Sequence, residues 1–252
     1  MVELFGYTLS YSALASFCVV GILVGMSKTG VAGVSKLAVP LLAVAFGGKE
    51  SSGLMLPVLI MADFIGVKYY HRHAETKYLW KLLPWTIIGV LAGTYFGQQI
   101  DDKTFRIIMG VIIFLSLIVM LWMERTNKEK IPDYLWFAAL MGIVAGFTTM
   151  VGNLAGSAMA LYLLSMRLPK NQYIGTAAWF FICVNIFKVP FHIWVWETIT
   201  WHSFLLDLIL IPFIAIGALV GIKIIKKISD QYFRWFVILM TTVAAIFMIL
   251  SS

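Results

Sequence analysis

Charged side chains are scarce in this 252-residue chain: Asp, Glu, Lys and Arg make up 12% of it, against 61% hydrophobic residues. A soluble domain carries about a quarter charged residues, so this composition excludes an ordinary soluble protein and places the chain in a membrane. Cysteine is nearly absent too. Cys18 and Cys183 each sit in a long apolar run, which excludes a disulfide framework, a CxxC redox pair and zinc-ligand spacing. No Lys or Arg precedes Lys28, so the basic start of a secretory signal is missing and the first apolar segment is expected to stay as a span. Acidic residues are outnumbered, giving a formal charge of +7. In a membrane protein that excess bears on which loops face the cytoplasm, and no nucleic-acid partner is expected.

What is present is a series of apolar stretches with short polar punctuation. They predict an all-α polytopic membrane protein forming one integral domain over 1–252, with about 8–10 transmembrane segments. Five segments, 10–26, 32–46, 52–70, 79–97 and 104–123, fall in a first repeat, 10–123. Five more, 133–150, 153–166, 172–194, 203–222 and 232–250, fall in a second repeat, 133–250. Segments 32–46 and 153–166 hold about 15 residues each, roughly 22 Å of helix against a core of about 30 Å, so they are expected to be broken or re-entrant. Both stand second in their half.

Internal similarity accounts for that coincidence. Gly21 and Gly25 resemble Gly142 and Gly146, Gly93 and Gly97 resemble Gly217 and Gly221, and Asp101-Asp102-Lys103-Thr104-Phe105-Arg106 resembles Ser229-Asp230-Gln231-Tyr232-Phe233-Arg234. Five segments per half make the repeats inverted. The basic residues agree: Arg72, Lys77, Lys81, Arg125, Lys128, Lys130, Arg167, Lys170, Lys223, Lys226, Lys227 and Arg234 fall on one side, and Lys49, Lys103 and Arg106 on the other. By the positive-inside rule both termini lie outside the cytoplasm. Tryptophans near segment ends, including Trp80, Trp136, Trp194, Trp196 and Trp201, read as interfacial anchors.

Four basic residues, Lys28, Lys36, Lys68 and Lys188, fall within or beside spans, together with Asp63 and Asp207. A charge near the bilayer centre costs about 3 kcal/mol or more, so it is tolerated in a paired or water-lined pathway. Snorkelling to the interface is the competing account for Lys68 and Asp207. The run from Gly25 to Lys36, with Ser27, Lys28, Thr29, Gly30 and Gly33, cannot be a uniform apolar helix. Its mate holds Thr148, Thr149, Gly152, Asn153, Gly156 and Ser157 and is equally polar. A broken helix frees backbone N–H groups at the positive end of the next helix dipole, and glycine lets an anion approach them. Two such breaks facing each other near mid-membrane would form an anion site; close helix packing through small residues is the alternative. Asn185, Lys188 and His192 share one helical face and could line a path, with Pro190 as a kink. Lys68 and Lys188 read as basic stations on either side of the site, and Asp63 or His192 as coupling groups. His71 and His73 read as surface residues, and no metal or other cofactor is expected.

These residues carry a family resemblance along essentially the whole chain. The glycine-rich run from Gly25 through Gly33 to Pro40, Leu56-Pro57 with Ala62-Asp63, Gly146-Phe147-Thr148-Thr149-Met150-Val151-Gly152-Asn153 with Gly156, Gly175-Thr176-Ala177-Ala178-Trp179 and Asn185-Ile186-Phe187-Lys188-Val189-Pro190 resemble the sulfite exporter TauE/SafE family of membrane permeases. Many members have a denser glycine cluster where this chain has Val34 and Ser35. The resemblance implies transport of sulfite, a sulfonate or a related sulfur-containing anion across a bacterial inner membrane, outward for sulfite. The expected partners are a small anion and membrane lipids, and a homo-oligomer is compatible with the apolar surfaces. The leading reading is a secondary transporter, since G-x-x-x-x-G-K-[ST] is absent. A passive anion channel is the alternative. An intramembrane enzyme is a third reading, but neither H-E-x-x-H nor G-x-S-x-G occurs, and no enzymatic activity is expected.

Overall fold

A computed structural model describes residues 1–31, 34–125 and 134–227, with residues 229, 232, 235 and 239. A short hairpin precedes the helices: β1 (Val2–Leu4) pairs antiparallel with β2 (Tyr7–Leu9), Val2 opposite Leu9. Phe5 and Gly6 between them take φ 49° and 82°, the paired positive angles that a tight two-residue hairpin turn requires. Ser10 then caps α1 (Tyr11–Lys28), its side chain accepting from the Ala13 N–H.

The other helices are α2 (Ser35–Phe46), α3 (Gly48–Tyr70), α4 (Thr76–Gln99), α5 (Asp102–Arg125), α6 (Leu135–Gly152), α7 (Ala155–Ser165), α8 (Lys170–Trp194), α9 (Trp201–Leu208) and α10 (Ile211–Lys227). Among the described residues α1, α3, α4, α6 and α8 are long and apolar enough to cross a bilayer, and the α9–α10 pair makes a sixth if taken as one span. The protein is thus a polytopic α-helical membrane protein. The expected segment 232–250 lies almost wholly outside the described residues.

Segment 203–222 is expected as one helix, but α9 and α10 meet at a 49° bend. Pro212 has no N–H to give the Leu208 carbonyl. The Ile209 and Leu210 N–H groups instead bond tightly back to the Leu206 and Asp207 carbonyls.

The two short segments fall short of the core of about 30 Å. With 12 residues α2 is about 18 Å long, and with 11 residues α7 is about 16 Å long. Each runs back along the helix before it. Phe46, ending α2, packs on Phe17 in the second turn of α1 at 6.0 Å between ring centroids. Tyr162 near the end of α7 packs on Phe137 at the start of α6 at 6.0 Å. Both hairpins therefore have buried tips. At the first, Gly30 takes φ 127°. At the second, Asn153 is left-handed at φ 57°, and its N–H closes onto the Thr149 carbonyl while the Leu154 N–H bonds to the Thr148 carbonyl, an ending of the αL type.

Packing between helices is reciprocal. α1 lies on α10, where Gly25 meets the Ile214 carbonyl and Gly217 meets the Ile22 carbonyl. α6 lies on α4, where Gly146 meets the Thr86 carbonyl and Gly89 meets the Ile143 carbonyl. Ile22 and Gly25 thus correspond to Ile143 and Gly146, and Thr86 and Gly89 to Ile214 and Gly217. In these contacts the counterpart of Gly217 is Gly89, one helical turn before the expected Gly93. Gly97 packs against the Trp196 ring instead. In lipid, helices gain no hydrophobic drive from meeting each other, so close backbone approach at small residues supplies much of their attraction.

Candidate functional site

The first break places Lys28 at the buried end of α1. Its ammonium lies 2.8 Å from Asp63 Oδ1 on α3 and 3.9 Å from the centre of the Phe181 ring on α8. Asn185 Nδ2 donates to Asp63 Oδ2 at 2.7 Å. One turn further along α8, Lys188 Nζ donates to the Thr149 carbonyl at 2.9 Å, Thr149 Oγ1 at 3.1 Å and Asn153 Oδ1 at 2.7 Å. Asn153 Nδ2 in turn donates to the Ser52 carbonyl at 2.9 Å. Helix α8 therefore ties both breaks together, the first through Asp63 and the second directly.

Burying an ion is costly unless its hydrogen bonds are met. Lys28 meets that demand with a carboxylate, whereas Lys188 donates to neutral oxygens. With all three groups ionised, this cluster carries two ammonium groups against one carboxylate, an excess of positive charge that favours an anion.

A cavity of about 60 Å³ lies between the breaks. Its lining includes Ser27, Lys28, Gly30 and Ser35 from the first break, Thr149, Asn153 and Gly156 from the second, and Asn185 from α8. Ser35 opens α2 and Gly156 stands in the first turn of α7, so both helix N-termini border the space. Ser27 Oγ donates to Ser35 Oγ at 2.9 Å. Apolar wall comes from Leu59 in the middle of α3 and from Ala177, Ala178 and Phe181 in the middle of α8.

Other expected residues sit behind this wall. Thr29 fastens the first break, donating to the Gly25 carbonyl at 2.9 Å and to the Ala218 carbonyl of α10 at 3.1 Å, while the Thr29 carbonyl accepts from the Tyr70 hydroxyl at 3.2 Å. Thr148 donates to the Ala145 carbonyl within α6, and Gly152 packs on Met109 of α5. Lys188 and Asp63 are fully buried and hold the lining residues. His192 is also fully buried, its Nδ1 2.9 Å from Thr198 Oγ1 and its ring edge against Trp196. Lys68 is exposed near the end of α3, whereas Asp207 is fully buried, against the snorkelling account of that residue. Trp196, expected as an interfacial anchor, is buried and donates to the Thr94 carbonyl at 3.1 Å. Gly33 and the side chains of Lys36 and Ser157 lie outside the described residues.

Several wall residues go beyond the expected set, among them Ser35, Tyr173 and Phe181. Ser35 stands inside the same polar run as Lys28. Tyr173, Ala177, Phe181 and Asn185 recur every four residues on α8, a helical stripe legible in the sequence.

Membrane helices surround a small cavity lined by Lys28 at two helix breaks, and together they define a polytopic integral membrane protein. The sulfite exporter TauE/SafE family matches residues 17–248, and the chain belongs to that family. The members of that family are described as sulfite exporters. The chain is also 26% identical over 206 residues to NADH-ubiquinone oxidoreductase chain 4 of Metridium senile, covering 78% of this chain and 40% of that protein. The chain thus spans less than half the length of that relative. No solved structure matches.

Proposed function

We propose that this protein is a secondary transporter that exports a small sulfur-containing anion, sulfite or an organosulfonate, by alternating access around the cavity between its two helix breaks. The observation that carries this reading is the convergence of Lys28, Ser27, Ser35, Asn153 and the N-termini of α2 and α7 on one enclosed space. An anion there loses water and gains an ammonium, hydroxyls, an amide and free backbone N–H groups at two positive dipole ends. Lys28, held between Asp63 and the cavity, can turn from one anion to the other without being left unpaired.

The inverted repeat, 10–123 against 133–250, supplies the moving parts in this reading. It is supported by the reciprocal packing of α1 on α10 and α6 on α4 at corresponding glycines. The caps agree: the Thr104 N–H donates to Asp101 and the Tyr232 N–H to Ser229, at corresponding places in the matched runs. Walls drawn from the middles of α3 and α8 support a site near the midplane. We place the protein in a bacterial inner membrane with both termini outside the cytoplasm, where an inside-negative potential drives a monoanion outward.

Proteoliposomes test the reading. Saturable uptake of labelled sulfite or a small sulfonate, with counterflow and loss in Lys28→Met, is expected. Flux that neither saturates nor shows counterflow would make the protein a channel. Absence of flux for every sulfur anion tried would overturn the proposal.

A further inference from the structure

Asp207 stands apart from the anion site. It lies in the last turn of α9, immediately before the 49° bend into α10, and it is fully buried. Neither carboxylate oxygen has a hydrogen-bond partner among the described residues. A buried carboxylate normally recruits a cation, an amide or backbone N–H groups, because its charge is otherwise expensive in a medium of low polarity. Asp63 does so with Lys28 and Asn185; Asp207 does not.

We propose that Asp207 is a proton-binding site at the α9–α10 hinge, through which proton binding is coupled to anion transport; this rests on the transporter reading above. A proton suits it better than a metal ion. Hard metal cations take about six or more oxygens, and among the described residues no three His, Cys, Asp or Glu side chains are grouped to hold a metal ion. Uptake of one proton turns the carboxylate into a neutral carboxylic acid, and release restores the charge, so the charge beside the bend changes by one unit.

Titratable groups lie on the hairpin side of Asp207. Tyr7 of the terminal hairpin lies within electrostatic reach of Asp207 and Glu50, and its hydroxyl interacts with Thr200, the cap of α9. From α3, Glu50 is therefore the neighbouring acid on that side. On its own helix His202 lies beside Gly6 of the hairpin. α1 carries no charged residue before Lys28, and α10 none before Lys223. The hairpin end, with Tyr7, Glu50 and His202, thus presents a polar face on the Tyr7 side of Asp207.

The hinge reaches the anion site through α10. Its Ala218 carbonyl accepts from Thr29, and Gly217 and Gly221 seat it against α1 beside the residues that precede and follow Lys28. A change in bend at Asp207 therefore acts on the helix that holds the first break.

The experiment uses the full chain in proteoliposomes, wild type and Asp207→Asn, with a sulfonate whose charge does not change across the neutral range. Two quantities are read: substrate counterflow without gradients, and accumulation driven by a pH gradient, with a trapped pH dye following the protons. Asp207→Asn is expected to keep counterflow within about two-fold and to lose pH-driven accumulation and proton movement by at least about ten-fold. Retention of pH-driven accumulation by Asp207→Asn would overturn the proposal. So would a wild type whose counterflow is robust but indifferent to pH, or one that sodium drives in place of protons. Absence of counterflow in wild type would instead sink the transporter reading itself. An infrared difference between purified wild type and variant gives a check independent of flux. A protonated-carboxyl band present in wild type, titrating and absent from Asp207→Asn, is expected; no such band at any pH in the folding range contradicts the site.

Discussion

Lys188 Nζ lies 2.7 Å from Asn153 Oδ1, so a fully buried ammonium on α8 fixes the left-handed residue at the tip of the α6–α7 hairpin. Two jobs meet at Asn153: its backbone takes φ 57°, and its amide bridges Lys188 to Ser52. Asn153→Gly keeps the backbone at ease but removes the amide, whereas Asn153→Ala removes the amide and adds backbone strain of about 1 kcal/mol. Thermal unfolding in detergent is expected to rank wild type above Gly and Gly above Ala. Both variants should lose most sulfite flux, and near-normal flux in either would remove the amide from the site.

The Lys28–Asp63 pair allows a cycle. Asp63→Leu alone leaves a buried ammonium without its carboxylate and should cost about 3 to 5 kcal/mol. Adding Lys28→Met should restore much of that stability while transport stays absent, because the cavity loses its cation. Melting temperatures and flux on the four proteins measure this; transport recovered by the double variant would contradict the role of Lys28.

Glycines at helix crossings give a steric prediction. A Cβ at Gly25 would strike the Ile214 carbonyl, and one at Gly146 the Thr86 carbonyl. Backbone cannot yield as a side chain can, so Gly25→Ala and Gly146→Ala should each cost about 1 to 3 kcal/mol. Gly21→Ala, which meets side-chain atoms of Phe213 at 3.1 Å, should be the milder change. Yield of monodisperse protein and its melting temperature rank the three.

Topology is open to labelling. In a Cys18→Ala, Cys183→Ser background, a cysteine at Glu3 should react with an impermeant maleimide from outside intact cells, and one at Lys77 only after permeabilisation. The reverse pattern would invert the orientation proposed from the basic loops.

Much of this architecture could be read directly. Apolar runs longer than about 18 residues located the crossing helices, and glycine beside Lys28 and Asn153 located both breaks, since no uniform apolar helix would hold such residues. Hydropathy does not reveal the α9–α10 bend although Pro212 marks it, because the run 203–222 is apolar on both sides of the break. Trp196 was misjudged because position near a segment end does not reveal whether an indole faces lipid or turns inward; here it finds the Thr94 carbonyl.

The sequence by itself determined that this is a helical membrane protein with two polar interruptions, because hydropathy and glycine act locally and need no partner to be legible. Tertiary structure decided which polar groups meet. Whether Lys188 faces a carboxylate or neutral oxygens, whether Thr29 lines the cavity or grips α10, and whether Asp207 finds a partner all depend on contacts between helices far apart in the chain. Those contacts are set by backbone approach at Gly25, Gly89, Gly146 and Gly217, and no single segment carries that information.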